Sequence, residues 1–187
     1  MHRCGGENSL HYIWIDWRNL ALLQRVCNKV YDKFKALCVW NKTQGGMSGF
    51  YIQKHELCVV YKKGRGRNTN NINTITGGRF RCNVWNYMGP SDLMWGATEH
   101  IERFHPTMKP TSMIKEAILD VTNEGDIVVD LFGGSGTTMV SSAMINRKCY
   151  MCEKEMKYCN GIIRRMVSHY PKLGVYRNGI LETDRWR

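Results

Sequence analysis

No apolar run in this chain approaches the length that spans a bilayer. The longest, Ala36 to Trp40 and Leu57 to Tyr61, are far short of the ~20 residues a membrane helix needs. The first ten residues, MHRCGGENSL, hold no apolar stretch that would serve as an export signal. Acidic residues are scarce: 16 Asp and Glu stand against 27 Lys and Arg, a net charge of +11, and none occurs from Leu57 to Ser91. There is no internal repeat and no low-complexity tract. What is present fits one globular domain of residues 1–187, because 43% of the residues are hydrophobic and the length is that of a single domain. Disorder and collagen-like repeats are thereby excluded. Eight scattered cysteines without an export signal read as free thiols in a reducing compartment, so a cytoplasmic setting is expected, with no membrane partner. The positive balance suggests a polyanionic partner, though charge speaks to association and not to fold.

Strands and helices alternate along the chain. His11 to Ile15 reads as a strand, and Leu20 to Phe34 as a helix with Leu23, Val26, Cys27, Val30 and Phe34 at helical spacing and Asp16 or Asn19 as its cap. Ala36 to Trp40 and Glu56 to Tyr61 are short continuous apolar runs, as in strands buried on both faces, with a Gly-rich turn between them from Gln44 to Gly49. Lys62 to Thr98 reads as an irregular basic insertion rich in Asn and Gly. A helix from Thr111 follows, with Ile114, Ala117, Ile118 and Val121 on one face. Then come a strand at Ile127 to Val129 ending on Asp130, a glycine turn, a helix through Met144, a strand at Lys148 to Cys152, and a helix from Lys154. Val175 to Leu181 reads as a last strand. This alternation predicts an α/β fold with a parallel sheet.

The sharpest motif is Asp130-Leu-Phe-Gly-Gly-Ser-Gly-Thr-Thr138, a strand end, a glycine turn and a helix start. Glycines let the backbone approach a ligand closely, and a helix N-terminus presents N–H groups. The dinucleotide fingerprint is not met, since Met139 stands at its third glycine position, and no Gly-Lys-Ser/Thr follows as in a P-loop. That weakens a dinucleotide oxidoreductase. The next strand ends at Glu153, about 20 residues on, where an acid can hold two ribose hydroxyls. A nucleoside ligand is suggested; a plain tight strand–helix turn is the alternative. The second motif, His105-Pro-Thr-Met-Lys-Pro110, precedes the Thr111 helix, with Pro110 suited to a helix entrance.

HPTMKP, then DIVVDLFGGSGTT, then CEKEMKY closely resembles the permuted (beta-type) DNA amino-methyltransferases, and HYIWIDWRN, LCVWNKTQGGMSGFY, HELCVVYKKG and CNVWNY resemble their middle section. The resemblance implies a methyltransferase domain with a Rossmann-like α/β sheet that uses S-adenosylmethionine to methylate the exocyclic amino group of adenine (N6) or cytosine (N4) in double-stranded DNA, in a bacterial, prophage or phage setting, as part of restriction–modification. It implies that Asp130, Phe132, Gly133, Gly134, Ser135, Gly136 and Thr137 form the cofactor loop, that Glu153 takes the ribose hydroxyls, and that His105, Thr107 and Lys109 lie near the methionine end. Residues 105–170 would be the cofactor-binding half. Leu131 departs from the proline common at its position.

A larger departure concerns proline. Pro90, Pro106, Pro110 and Pro171 are the four prolines, so the family's catalytic Pro-Pro-aromatic tetrapeptide, which accepts hydrogen bonds from the target amino group and stacks on the flipped base, is absent from these residues. No catalytic residue is therefore assigned. The chain is expected to begin just after that tetrapeptide: either a truncated methyltransferase, or a non-catalytic remnant or split half needing a second chain. The sheet is expected to lack one central strand, with its halves facing each other across the gap or closing by direct pairing of the Ile127 strand with the His11 strand.

The resemblance then implies that the basic insertion, residues 62–98, acid-free as far as Ser91, is a target-recognition region. Arg65, Arg67, Arg79 and Arg81 can neutralise phosphates, Asn83 is of a type that reads base edges, and Trp85, with Phe80 and Tyr87, interleaves aromatics with charge. Cys149-x-x-Cys152 with Cys159 reads as structural and no metal is expected. Asp16-Trp17-Arg18 after the first strand is either a functional loop or a cap with a packed Trp.

Overall fold

A computed structural model describes residues 1–46, 50–72, 80–89 and 108–186. The chain divides into two compact units, Met1–Thr98 with Leu119–Thr122, and Glu99–Ile118 with Asn123–Arg187.

The first unit is a four-stranded sheet. It is built from β1 (Leu10–Ile15), β2 (Lys33–Gly46), β3 (Gln53–Lys62) and β4 (Val84–Asn86), in the order β1-β3-β2-β4. β3 is central. Its residues 57–62 are buried without interruption, which is why that run shows no polar alternation. The parallel sheet expected here is not what forms. β3 runs antiparallel to both β1 and β2, with Trp14 and Cys38 each opposite Cys58, and only β4 lies parallel to β2. The short Gly-rich connection between β2 and β3 dictates this, since parallel neighbours need a crossover of a dozen or more residues. β4 also corrects the reading of 62–98 as wholly irregular: three residues suffice to pair Trp85 with Trp40.

α1 spans Leu20–Cys27, shorter than the periodicity predicts. Asn28 to Val30 turn the chain, the Tyr31 N–H returns to the Cys27 carbonyl, and Asp32 N–H reaches Lys62 O. Phe34, at helical spacing in sequence, instead lies in β2 with its ring 5.6 Å from that of Tyr61. Strand pairing to β3 outcompetes one more helical turn. The α1 face of the sheet buries Cys27, Val59 and Tyr61, packed by Ile13, Ile15, Leu20, Leu23 and Leu37. The opposite face is aromatic, with Trp14 6.3 Å from Trp40 and 6.1 Å from Trp85. There burial pushes the Tyr12 hydroxyl pKa well up, and the charge of Asp120 adds to the effect.

The second unit holds α2 (Thr111–Leu119), β5 (Ile127–Asp130), α3 (Thr137–Ala143), β6 (Lys148–Met151) and α4 (Met156–His169), then a hairpin of β7 (Tyr176–Arg177) and β8 (Ile180–Leu181). Here the parallel βαβ expectation holds: β5 and β6 are parallel, Ile127 opposite Lys148 and Asp130 opposite Met151. α3 and α4 bury Val140, Ser141, Ile162, Met166 and Val167, while Ile127, Val129 and Tyr150 on the strands are exposed. The single last strand expected at Val175 to Leu181 is a hairpin. Asn178 (φ 51°) and Gly179 (φ 82°) both take positive φ, as a two-residue turn requires.

Among the described residues, β1 pairs only with β3 and β5 only with β6. β1 is thus an edge strand of the first unit's sheet. Residues 1–10 do not supply a central strand: His2–Cys4 form one 3-10 turn, and Leu10 alone of the ten enters β1. No helix among the described residues is long and apolar enough to cross a membrane.

His11 gives a pH prediction. Its ring is buried, with Nδ1 3.1 Å from the Tyr31 hydroxyl and Nε2 2.9 Å from Ser9 Oγ, and Ser9 Oγ donates to Gly6 O. Burial, and then the positive His2, N-terminus and Lys63, lower its pKa from 6.5 to about 4. Between those values the unfolded chain takes up a proton that the folded chain refuses, so stability present above pH 6.5 is lost as pH falls toward 4. The melting temperature of His11→Gln should fall less steeply than that of the wild type over that window. Parallel pH profiles would contradict the assignment.

Candidate functional site

The site of the second unit grows from the register of two short strands. Asp130 ends β5 opposite Met151, and Cys152 N–H donates to Asp130 O (2.8 Å), so the two strand ends leave the sheet together. The Asp130 carboxylate then braces the turn, accepting from Phe132 N–H (3.0 Å) and from Thr138 Oγ1 (2.7 Å) on α3. Gly133 N–H donates to Cys152 O at 2.8 Å; a Cβ at Gly133 would lie 2.6 Å from Met151 Sδ and 3.2 Å from that carbonyl. Gly134 (φ 53°) and Gly136 (φ 75°) sit in left-handed conformations that side chains disfavour.

Glu153, just past β6, meets this loop. Its Oε2 accepts from Gly134 N–H at 2.6 Å and its Oε1 from Glu155 N–H at 2.9 Å. A carboxylate is an acceptor-only group with about four lone-pair sites, so paired hydroxyl donors are its natural complement. Beside it, Phe132 is 77% exposed and presents an apolar ring at the loop surface. The glycine backbone, the oriented acid and the exposed ring together suit the sugar and base of a nucleoside.

The other predicted loop residues point inward. Ser135 and Thr137 are buried, with their hydroxyls 3.0 Å apart, and Thr137 Oγ1 lies 3.2 Å from the Lys109 carbonyl. Lys109 is half-buried, while His105 and Thr107 lie outside the described residues. A residue that sequence reasoning missed joins these pieces. Arg165 on α4 donates to Ser135 O (3.0 Å), to Thr137 Oγ1 (3.1 Å) and to Thr111 Oγ1 at the start of α2 (2.9 Å). Its only sequence signal was its place beside the apolar face of an amphipathic helix. Cys149, Cys152 and Cys159 carry free thiols; burial pushes the Cys149 thiol up to about 11.

In the first unit the basic residues divide. Arg65 and Arg67 are exposed on a loop shaped by a buried cation: Lys62 Nζ donates to Gly64 O (2.8 Å) and to Gly66 O. Gly64 takes φ 80° and its N–H reaches Asp32 Oδ2 at 2.7 Å. Arg81 is turned inward instead. Its Nε lies 3.2 Å from Asp120 Oδ2, the two side chains are 11% and 2% exposed, and its guanidinium sits 5.1 Å over the Trp85 ring. Trp85 is buried, and exposed Asn83 donates to Leu37 O at 3.0 Å. Arg79 lies outside the described residues. Arg81 and Trp85 therefore serve the interior, and the described loop surface is left to Arg65 and Arg67.

A family model described as DNA methylase, of the N6/N4 class, matches residues 1–165. The chain belongs to that family. It is 26% identical over 168 residues to the type II methyltransferase M.HpaI of Haemophilus parainfluenzae, covering 85% of this chain and 54% of that protein. It is 27% identical over 196 residues to the DNA adenine methyltransferase YhdJ of Escherichia coli, covering 90% of this chain and 65% of that one. The chain thus spans between half and two thirds of the length of these relatives. Among solved structures, M1.HpyAVI in complex with SAM superposes with a TM-score of 0.71 at 21% identity, over 86% of this chain and 76% of that one. PvuII DNA methyltransferase, cytosine-N4-specific, gives 0.63 at 18% identity, over 91% and 61%. The mixed α/β fold is that of these methyltransferases.

Arg165 carries the prediction of this site. Arg165→Met removes three hydrogen bonds and leaves partly buried acceptors unmet, so unfolding should be easier by about 1–3 kcal/mol. Arg165→Lys should recover only part of this, because an ammonium cannot reproduce the guanidinium fork. Denaturant titration of the three proteins decides it; equal midpoints would contradict the stitching role.

Proposed function

We propose that the chain is the cofactor- and DNA-binding part of a DNA amino-methyltransferase. In this reading a methyl group passes from S-adenosylmethionine to the exocyclic amino group of adenine or cytosine in double-stranded DNA. The single observation that carries it is the Glu153 carboxylate held at 2.6 Å on the Gly134 amide, inside a glycine turn between parallel strands, in a chain of this family. When bound, S-adenosylmethionine supplies an electrophilic sulfonium methyl.

The chain's own residues do the holding. Gly133 to Gly136 let the backbone approach, Asp130 fixes the turn, and Glu153 receives the ribose hydroxyls. Phe132 offers its ring to a base. His105, Thr107 and Lys109 are placed at the methionine end by the resemblance of their motif. Arg65 and Arg67 neutralise DNA phosphates, and Arg79 and Asn83 belong to the same basic recognition region.

Methyl transfer also needs acceptors for the target amino group as its charge develops. The four prolines of the chain are all separated in sequence, so the family's Pro-Pro-aromatic element must come from another segment or a second chain. The exposed Ile127, Val129 and Tyr150, on a strand pair with no third strand among the described residues, would accept such an addition.

Glu153→Ala should weaken S-adenosylmethionine binding by about 1–3 kcal/mol, roughly 5- to 150-fold, in calorimetry. Equal affinity would overturn the assignment. The purified chain alone, given tritiated S-adenosylmethionine and mixed-sequence DNA, should incorporate no label above a Gly134→Asp control. Incorporation above that control would show that other residues complete the site.

A further inference from the structure

The β2–β3 hairpin ends in three large apolar side chains that the protein leaves in water: Phe50 is 93% exposed, Tyr51 79% and Ile52 70%. The Phe50 and Tyr51 rings meet edge to face with centroids 4.8 Å apart, so they form a paired surface and not two loose side chains. The base of this tip is tied to the loop after β1. With its amide oriented to meet both donors, Gln53 Oε1 accepts from Trp17 Nε1 (2.8 Å) and Arg18 Nη2 (3.2 Å). Arg18 is held in turn by Asp16, at 3.1 Å, and lies 5.1 Å over the Trp17 ring. Asp16 does cap its short turn, through Arg18 N–H at 2.9 Å, but Trp17 does not pack away: it is 51% exposed. The Asp-Trp-Arg loop is thus a fixed mount for a third aromatic ring near the hairpin.

The charge of the chain selects the occupant. Its net charge is +11, and from Lys33 to Ser91 Glu56 is the only acid in the sequence against Lys or Arg at ten positions. At the tip itself Glu56 is paired with Lys42 (2.6 Å) and Asp16 with Arg18 (3.1 Å), which leaves no unpaired acid among these residues, and Lys54 is exposed. Exposed aromatics on a chain of strongly positive net charge match a polyanion with flat apolar faces, which is what a nucleic acid with unpaired bases presents. Enzymes that modify a base inside a duplex must take it out of the stack, leaving unstacked bases to be held. We propose that Trp17, Phe50 and Tyr51 form a stacking edge for unpaired DNA bases, distinct from the phosphate-contacting Arg65 and Arg67. This rests on the DNA-binding reading above.

The test measures fluorescence anisotropy of the full chain on a 20-nucleotide mixed-sequence single strand, and on an abasic strand with the same phosphates. Wild type should bind the base-bearing strand about 10-fold more tightly than the abasic one. Phe50→Ala/Tyr51→Ala should lose that preference while keeping the wild-type affinity for the abasic strand, the same slope of log K against log salt, and the same melting temperature. Arg65→Gln/Arg67→Gln should do the reverse, keeping the preference and flattening the slope by about 0.7 per lost contact. An unchanged preference in the aromatic variant would overturn the stacking edge and leave DNA binding standing. No binding of either strand by the wild type would overturn the DNA reading itself, and the edge with it. A double variant that turns a dimer into a monomer in sedimentation, with DNA binding untouched, would assign the tip to self-association and overturn the proposal.

Discussion

The hydrogen bond from the Gly134 amide to Glu153 closes the glycine loop onto the end of β6, and the rest of the second unit is arranged around it. The bond needs the β5–β6 register that ends both strands at Asp130 and Met151. It needs a Cβ-free backbone at Gly133 to let the loop lie against Met151 and Cys152, and positive φ at Gly134 and Gly136 to turn the chain into α3. Asp130 and Arg165 then lock the turn from its two ends, one through Thr138 and the other through Ser135, Thr137 and Thr111. The polar side chains of the motif thus split by task. Those facing inward hold the loop, and the acid that reaches the loop from β6 accepts from the Gly134 and Glu155 amides.

A similar division runs through the basic residues of the first unit. Burying a cation is costly unless its donors are met. Lys62 meets them on the carbonyls of its own loop, and Arg81 meets Asp120 and the face of Trp85. These two cations shape the surface without belonging to it, and Arg65 and Arg67 remain exposed. A stretch without acids can look like a uniform charge run in sequence while supplying both the scaffold and the contact.

What was legible in the sequence follows from the range of the interactions involved. The glycine turn, its flanking strand and helix, and Glu153 were readable because strand, turn and helix are set by neighbours within 25 residues. Strand direction in the first unit was misread because continuous apolar runs report burial on both faces, not orientation; the Gly-rich turn at Gln44 to Gly49 already implied a hairpin. The end of α1 was misplaced because Phe34 fits helical spacing and strand pairing equally well. Asn178-Gly179 is a hairpin signal inside the apolar run from Val175 to Leu181, and its two positive φ angles turn that run back on itself. The contacts of Arg165 and of the Arg81–Asp120 pair were not legible: their partners are 28 to 54 residues away in sequence, and a place beside an apolar helix face does not say what an arginine reaches.

The central claim is that the Gly133 to Gly136 loop and Glu153 form one ligand-binding unit. The most direct measurement is the amide NMR spectrum of the isotopically labelled chain titrated with S-adenosylhomocysteine, with Gly134 assigned through Glu153→Gln. Saturable shifts centred on the amides of Phe132 to Gly136 and Glu153 to Glu155, lost in Glu153→Gln, are the predicted result. Saturable shifts centred elsewhere, with the Gly134 amide unmoved, would contradict it.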